Sequence, residues 1–330
     1  MTSATVVSKA RSAYAQEYDS GGSRWQHLIA PTFLVATMVI VSGATRHVDA
    51  IFPELGAISV GSWCLRLKAW RRHRWHLFWF PSAAAALGVS VVRWSGWPRA
   101  PEEALVATLT VLALMAMDSP AVPAVSAGLL PVVLGVSTWL YPLTVVASTA
   151  LVAGIPVLVA RAAARRHLAA RRSTEESSEQ HWPLQISVWF LVILWIELGV
   201  ADASGVPLLA LPPLFVAAYG QLRRRLRERS TRGEALSRGS RNVVILTAAA
   251  GLGVSARIVL PGRFSGALVA FLLVAAFVVW RKIKLEPMLP LALIPALLPA
   301  GHLVVYVWAV PVEAGLLGLL VSLVPLASRT

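Results

Sequence analysis

Apolar runs at 28–41, 105–117, 132–159, 186–196, 243–254 and 267–280 leave this chain few ways to fold. They are continuous rather than alternating, which disfavours a transmembrane β-barrel. In hydrocarbon every backbone N–H and C=O must be paired inside the protein, and a helix does this within its own turns. Crossing about 30 Å of hydrocarbon takes roughly 20 helical residues. With 57% hydrophobic and 14% charged residues, the chain has too little polar surface to dissolve as a soluble globule. Mean hydropathy is +0.67. The expectation is an all-α polytopic membrane protein of about 12 spans, some of them short or broken by proline.

The distribution of charge sets the expected topology. The net charge is +14, but it falls in blocks between the apolar runs. These are Arg66-Lys68-Arg71-Arg72-Arg74, Arg161-Arg165-Arg166-Arg171-Arg172, Arg223-Arg224-Arg225-Arg227-Arg229-Arg232 and Arg281-Lys282-Lys284. Basic loops of this kind mark the cytoplasmic side of a membrane protein. They explain the positive excess without nucleic acid, which is not expected as a partner. The tail carries Lys9, Arg11, Glu17, Asp19 and Arg24 and no apolar core of a signal peptide. Placing it in the cytoplasm puts nearly all basic blocks inside if each half has six spans. Those spans fall near 26–43, 47–63, 75–92, 103–117, 120–137 and 140–160, then near 184–200, 205–221, 242–260, 264–280, 287–303 and 306–326. The expected divisions are a tail, 1–25; a first membrane repeat, 26–160; a cytoplasmic linker, 161–183; and a second membrane repeat, 184–327. Both termini are then cytoplasmic and the protein is multi-pass in the cell membrane.

The two sets of spans share their punctuation. Pro120-x-x-Pro123 followed by Leu129-Leu130-Pro131 recurs as Pro287-x-x-Pro290 followed by Leu297-Leu298-Pro299. Leu87-Gly88-Val89-Ser90 recurs as Leu252-Gly253-Val254-Ser255, and Pro53 with Gly61 recurs as Pro212 with Gly220. Six spans per half make the repeats parallel, and related halves commonly hold a substrate path between them.

Four features carry candidate chemistry. A proline inside a span frees a backbone carbonyl, which must be buried in protein or face a polar cavity. Pro120 and Pro287 are such breaks, with Ser119 and Glu286 beside them. Pro53 and Pro212 open spans, and the free N–H groups of a helix start favour anions; both also read as plain proline helix starts. Carboxyl groups inside spans are functional candidates by default. Glu54, Glu197 and Glu313 are the proton-coupling candidates, although Glu54 and Glu197 lie near span ends, where headgroup water is within reach. On the sequence register Glu54 falls opposite Pro213, Glu197 opposite about Val41, and Glu313 opposite Thr144. His302 stands alone and reads as a packing histidine. Trp63, Trp70, Trp75 and Trp79 at one interface, and Trp94, Trp97 and Trp139 at the other, read as headgroup anchors. The single Cys64 excludes an internal disulfide and a thiolate metal cage. No Walker loop, H-E-x-x-H or G-x-S-x-G occurs, so no enzyme activity, cofactor or metal is expected.

The order of these elements resembles the HPP family of integral membrane proteins, named for a His-Pro-Pro motif. The resemblance runs through Phe52-Pro53-Glu54-Leu55-Gly56, the 66–76 loop, the small-residue stretch 83–90, Asp118-Ser119-Pro120-Ala121 and Trp139-Leu140-Tyr141-Pro142. It recurs through Leu211-Pro212-Pro213, Arg241-Asn242-Val243-Val244, 248–255 and Glu286-Pro287-Met288. Ser119 and Glu286 stand where that family has histidine, and Ala121 and Met288 where it has the second proline. The chain thus resembles a tandem pair of such units. Some members of the family are linked to nitrite transport, so the resemblance implies an anion as cargo. The six-span halves also resemble fusaric-acid-resistance-type aromatic acid exporters in topology.

Together these readings lead to a secondary transporter or channel for a small anion or organic acid. Its site would lie between the repeats near the bilayer midplane, lined by Pro53, Glu54, Ser119, Pro120, Pro212, Glu286 and Pro287. The expected partners are the lipid bilayer and a small anionic substrate, with a homo-oligomer also compatible. The alternative is a non-transporting scaffold or accessory subunit, whose basic 161–183 and 223–241 loops would hold anionic lipid or a cytoplasmic partner.

Overall fold

The computed structural model describes residues 28–65, 67–166, 184–260, 262–281, 283 and 287–325. The expected tail, most of the 161–183 linker, and Glu286 lie outside the described residues. Those described form α-helices and short 3-10 or π turns, with no strand among them. We number the helices α1 (Ile29–Thr45), α2 (Glu54–Ser59), α3 (Lys68–Arg72), α4 (His76–Trp94), α5 (Arg99–Ala116), α6 (Pro123–Leu134) and α7 (Leu140–Arg166). The second set is α8 (Leu184–Ser204), α9 (Pro212–Glu228), α10 (Arg232–Val259), α11 (Arg263–Arg281), α12 (Met288–Leu293) and α13 (Leu303–Leu323).

Six helical segments are long and apolar enough to cross a membrane: His76–Trp94, Leu140–Leu158, Leu184–Ser204, Arg232–Val259, Phe264–Arg281 and Ala300–Leu323. Ile29–Thr45 and Pro123–Leu134 are shorter apolar helices. Their outward faces confirm the solvent they are made for. Phe33, Ile40, Val244, Ile258, Val304 and Trp308 are each more than 60% exposed. Such faces, repeated around the molecule, suit lipid and would be costly in water. The chain is an all-α membrane protein.

The expected spans at 47–63 and 287–303 are interrupted. The first is a 3-10 turn (Val48–Ala50), α2, then a π turn (Val60–Cys64). The second is α12 followed by 3-10 turns at Ile294–Ala296 and Ala300–His302. Pro53 fixes where α2 starts, and Pro287, Pro295 and Pro299 punctuate the other segment, each lacking the donor a continuous helix needs; the π turn at Val60–Cys64 holds no proline. The basic 223–241 stretch, expected as a loop, is mostly helical. α9 runs to Glu228 and α10 starts at Arg232, with three residues between. Arginine, leucine and alanine are good helix formers. The turn is held by a capping box, in which Thr231 accepts from the Glu234 N–H and the Glu234 carboxylate accepts from the Thr231 N–H.

Local features recur at matched places in the two sets. α1 ends at Arg46 and α8 at Gly205, both with left-handed backbone (φ 58° and 67°), and a 3-10 turn follows each. Gly88 on α4 lies against the Gly128 carbonyl of α6, and Gly253 on α10 against the Ala292 carbonyl of α12. Only a residue without a side chain lets the backbones approach so closely. The Tyr141 hydroxyl of α7 donates to Ala127 O of α6 (3.2 Å), and the Tyr306 hydroxyl of α13 to Leu291 O of α12 (2.6 Å).

Between the sets the packing is reciprocal. α1 lies on α11, where Gly43 meets the Phe264 ring, and α8 lies on α5, where the Trp195 indole donates to Thr108 Oγ1 (3.1 Å). α2 lies on α12 and α9 on α6. Each set therefore covers its short, broken helix with the opening helices of the other. The seam so formed is lined by residues buried to 1% exposure or less, among them Ile51, Phe52, Leu55, Ser126, Leu211, Leu291 and Leu293.

Candidate functional site

The seam holds buried carboxyl groups at two helix starts. Glu54 opens α2, is 1% exposed, and its Oε1 accepts a hydrogen bond from Ser126 Oγ of α6. Its Oε2 has no hydrogen-bond partner. Tyr141, stacked edge-on against Phe52 at 6.3 Å, is within electrostatic reach of Glu54. In the second set the carboxyl comes from elsewhere. Glu313 projects from α13, is fully buried, and its Oε2 accepts from the Leu211 N–H ahead of α9 at 2.9 Å. Its Oε1 is unpaired, and Tyr306 is within electrostatic reach.

These two carboxyls occupy comparable places. Each stands at the helix start that follows the 3-10 turn, beside the tyrosine that buttresses the broken helix. One is supplied by the start itself and the other by the last helix. That is why matching positions along the sequence showed no duplicated glutamate. The structural register shifts the other comparisons too. Matching Arg46 with Gly205 sets Met38, not Val41, opposite Glu197. Matching Tyr141 with Tyr306 sets Ser148, not Thr144, opposite Glu313. The N–H of Phe52, which corresponds to the Leu211 N–H, is taken by Met38 Sδ at 3.1 Å.

Glu197 on α8 is 1% exposed and neither of its oxygens has a hydrogen-bond partner. It lies within electrostatic reach of Glu313, as does Glu103 of α5. Glu103 is 2% exposed and has an ion pair at 3.8 Å with Arg99 Nε. Headgroup water is thus out of reach for Glu54 and Glu197 in this conformation, contrary to their position near the ends of the expected spans. Among the described residues no three His, Cys, Asp or Glu side chains converge as metal ligands.

The proline breaks are closed as well. Pro53, Pro120, Pro212 and Pro287 are buried, and Ser119 is fully buried, its Oγ accepting from the Ala121 N–H at 3.3 Å. The Pro120 carbonyl does not face a polar opening. It accepts from the Trp70 indole at 3.1 Å and the Val122 N–H at 2.9 Å. Trp70 is 4% exposed, so it is an internal buttress and not a headgroup anchor. The half-buried Trp63 also donates inward, to Val152 O at 3.2 Å. Trp75, Trp79, Trp94, Trp97 and Trp139 are exposed, as an interfacial belt requires. His302 is exposed at a 3-10 turn and does not pack in the core.

Ser126, Tyr141, Tyr306 and Glu103 were not among the sequence candidates. The two tyrosines had a readable signal, since each sits early in the last helix of its set. Ser126 and Glu103 had none, because only the packing of α6 and α5 against the other helices gives them their neighbours. Comparison with known protein families, characterised proteins and solved structures gives no significant match for this chain.

Proposed function

We propose that this chain is a secondary transporter or channel for a small anion or organic acid, built as two parallel six-span repeats within 26–160 and 184–327. Its site lies between the repeats near the bilayer midplane of the cell membrane, with both termini cytoplasmic. The observation that carries this reading is the pair of buried carboxyls, Glu54 and Glu313, at the helix starts of the inter-set seam. A carboxyl in such a place is costly and has no packing purpose that an apolar residue would not serve better. At α9 the Leu211 N–H already holds a carboxylate, that of Glu313. An incoming anion competes for the same donor, and displacing Glu313 loosens α13 from α9. The seam is filled and buried in this structure, so transport on this reading requires the two sets to move apart there.

Uptake into proteoliposomes across a pH gradient tests the proposal, with nitrite and an aromatic acid as cargoes. Glu54→Gln keeps the acceptor for Ser126 and removes the exchangeable proton. Uptake that depends on pH in the wild type and not in Glu54→Gln supports the role of Glu54; an unchanged pH profile discards it. The closed seam favours a second reading, a scaffold without transport. Absence of uptake for every anion tried, in vesicles where the protein is folded and correctly inserted, would select it.

A further inference from the structure

A second polar feature lies away from the carboxyls, where the end of α9 and the start of α10 meet the end of α13. Gly239 and Gly318 touch there, with 3.5 Å from a Cβ built on Gly239 to the Gly318 Cα, which draws α10 onto α13. Above this contact is a small cleft, open on one side to solvent, with about 20 Å³ of internal room, lined by Arg224, Arg225, Ser230, Arg238, Arg241 and Asn242 among others. Among the described residues no carboxylate lines it. Arg225 is 6% exposed and donates from Nε and Nη2 to Val324 O (3.3 and 2.9 Å) and from Nη1 to Thr231 O (3.4 Å). Its charge is therefore held in place by neutral carbonyls. Burial, with the Arg232 guanidinium nearby, presses its pKa down. Arg238 is paired with Glu228 at 2.8 Å. Ser230 lines the cleft, is 4% exposed, and its hydroxyl has no hydrogen-bond partner.

A buried guanidinium with no carboxylate beside it among the described residues, two exposed guanidinia and a buried, unpartnered hydroxyl in the cleft wall together suit a tetrahedral oxyanion. Arginine matches phosphate oxygens with parallel donors, and a serine hydroxyl adds another. A nitrite or carboxylate would use too few of these groups. The length of α10 beyond this point is apolar and membrane-crossing, so the cleft lies at the level of headgroups. We propose that this cleft is a binding site for a terminal phosphate group, carried by a lipid or by a soluble phosphate, separate from the transport seam.

The test uses the full chain in phosphatidylcholine nanodiscs, with short-chain phosphatidate and inorganic pyrophosphate as probes. Arg224→Ala/Arg241→Ala removes two exposed guanidinia; Ser230→Ala removes only the hydroxyl. Losing charge-assisted hydrogen bonds predicts roughly tenfold or greater weakening in the double variant and a few-fold weakening in Ser230→Ala. Binding of phosphatidate that pyrophosphate does not displace identifies a lipid headgroup as the source. Binding of pyrophosphate, weakened by the same substitutions, identifies a soluble phosphate. The proposal is overturned if neither probe binds, or if the variants bind as the wild type does. Should the double variant fail to fold, Ser230→Ala decides alone. Because the readout is binding, the result is independent of whether the seam transports anything.

Discussion

Two glycines on α10, two residues apart, face opposite demands and give a sharp test of the packing. A Cβ added at Gly253 would meet the Ala292 carbonyl oxygen at 2.5 Å, and Ala292 Cα and C at 3.1 Å. Ordinary contact begins near 3.4 Å, so α12 would have to retreat by about 0.9 Å. Backbone cannot swing aside as a flexible side chain does. Overpacking of this kind costs about 1–3 kcal/mol. At Gly251 a Cβ meets nothing within 4 Å. There alanine gains helix propensity, up to about 1 kcal/mol. The same propensity gain offsets part of the cost at Gly253. The two variants should therefore differ by about 1–3 kcal/mol, with Gly251→Ala the more stable, which is about a fivefold to hundredfold difference in the folded-to-unfolded ratio. Reversible unfolding in mixed detergent micelles, followed by tryptophan fluorescence, measures this. Equal stabilities, or the reverse order, would refute the close approach of α10 to α12.

The matched tyrosines should respond alike: Tyr141→Phe and Tyr306→Phe each remove one buried hydrogen bond and should cost about 1 kcal/mol in the same unfolding assay. A large loss at one and none at the other would mean that the two buttresses are not equivalent. Glu313→Ala leaves the Leu211 N–H buried and unpaired, at a cost of about 1–3 kcal/mol, whereas Glu313→Gln keeps an acceptor there and should retain most of that stability. If both variants lose the same amount, the 2.9 Å bond is not what Glu313 contributes. Thr231→Ala breaks the capping box and should lower stability by about 1 kcal/mol, seen as faster hydrogen exchange in the first turn of α10; unchanged exchange would show that the cap is dispensable.

Much of the helical framework could be read from the residues. Apolar runs located the long helices, and the prolines at 53 and 212 marked where helices begin. The recurrence of Gly88 as Gly253 was visible as punctuation, although the close backbone contacts at both were not read from it. The candidate site was legible only in part. Glu54 and Glu313 are rare residues in apolar company, which is a local signal. Their placement against Ser126 and Leu211 depends on contacts across helices, which no periodicity records. Which of the two fates met the Pro120 carbonyl, burial in protein or a polar cavity, was left open for the same reason. The freed acceptor was visible in the sequence, but its donor, Trp70, lies in a basic segment that reads as an interface. Charge also misled at 223–241, where solubility says loop but the intrinsic preferences of arginine and leucine favour helix.

The crossing of opening helices between the two sets has a consequence for biogenesis. α1 leaves the translocon long before α11, the surface it must rest on, has been made. Until then α1 rests only on the turn that follows it and on α2, while α4, α5, α6 and α7 already pack on one another. The docking of α8 on α5 and of α9 on α6 needs only surfaces already made, so the placement of α1 on α11 and of α2 on α12 is the step left to the final stretch of synthesis. The same arrangement is the one that two copies of a shorter chain would make by trading their opening arms.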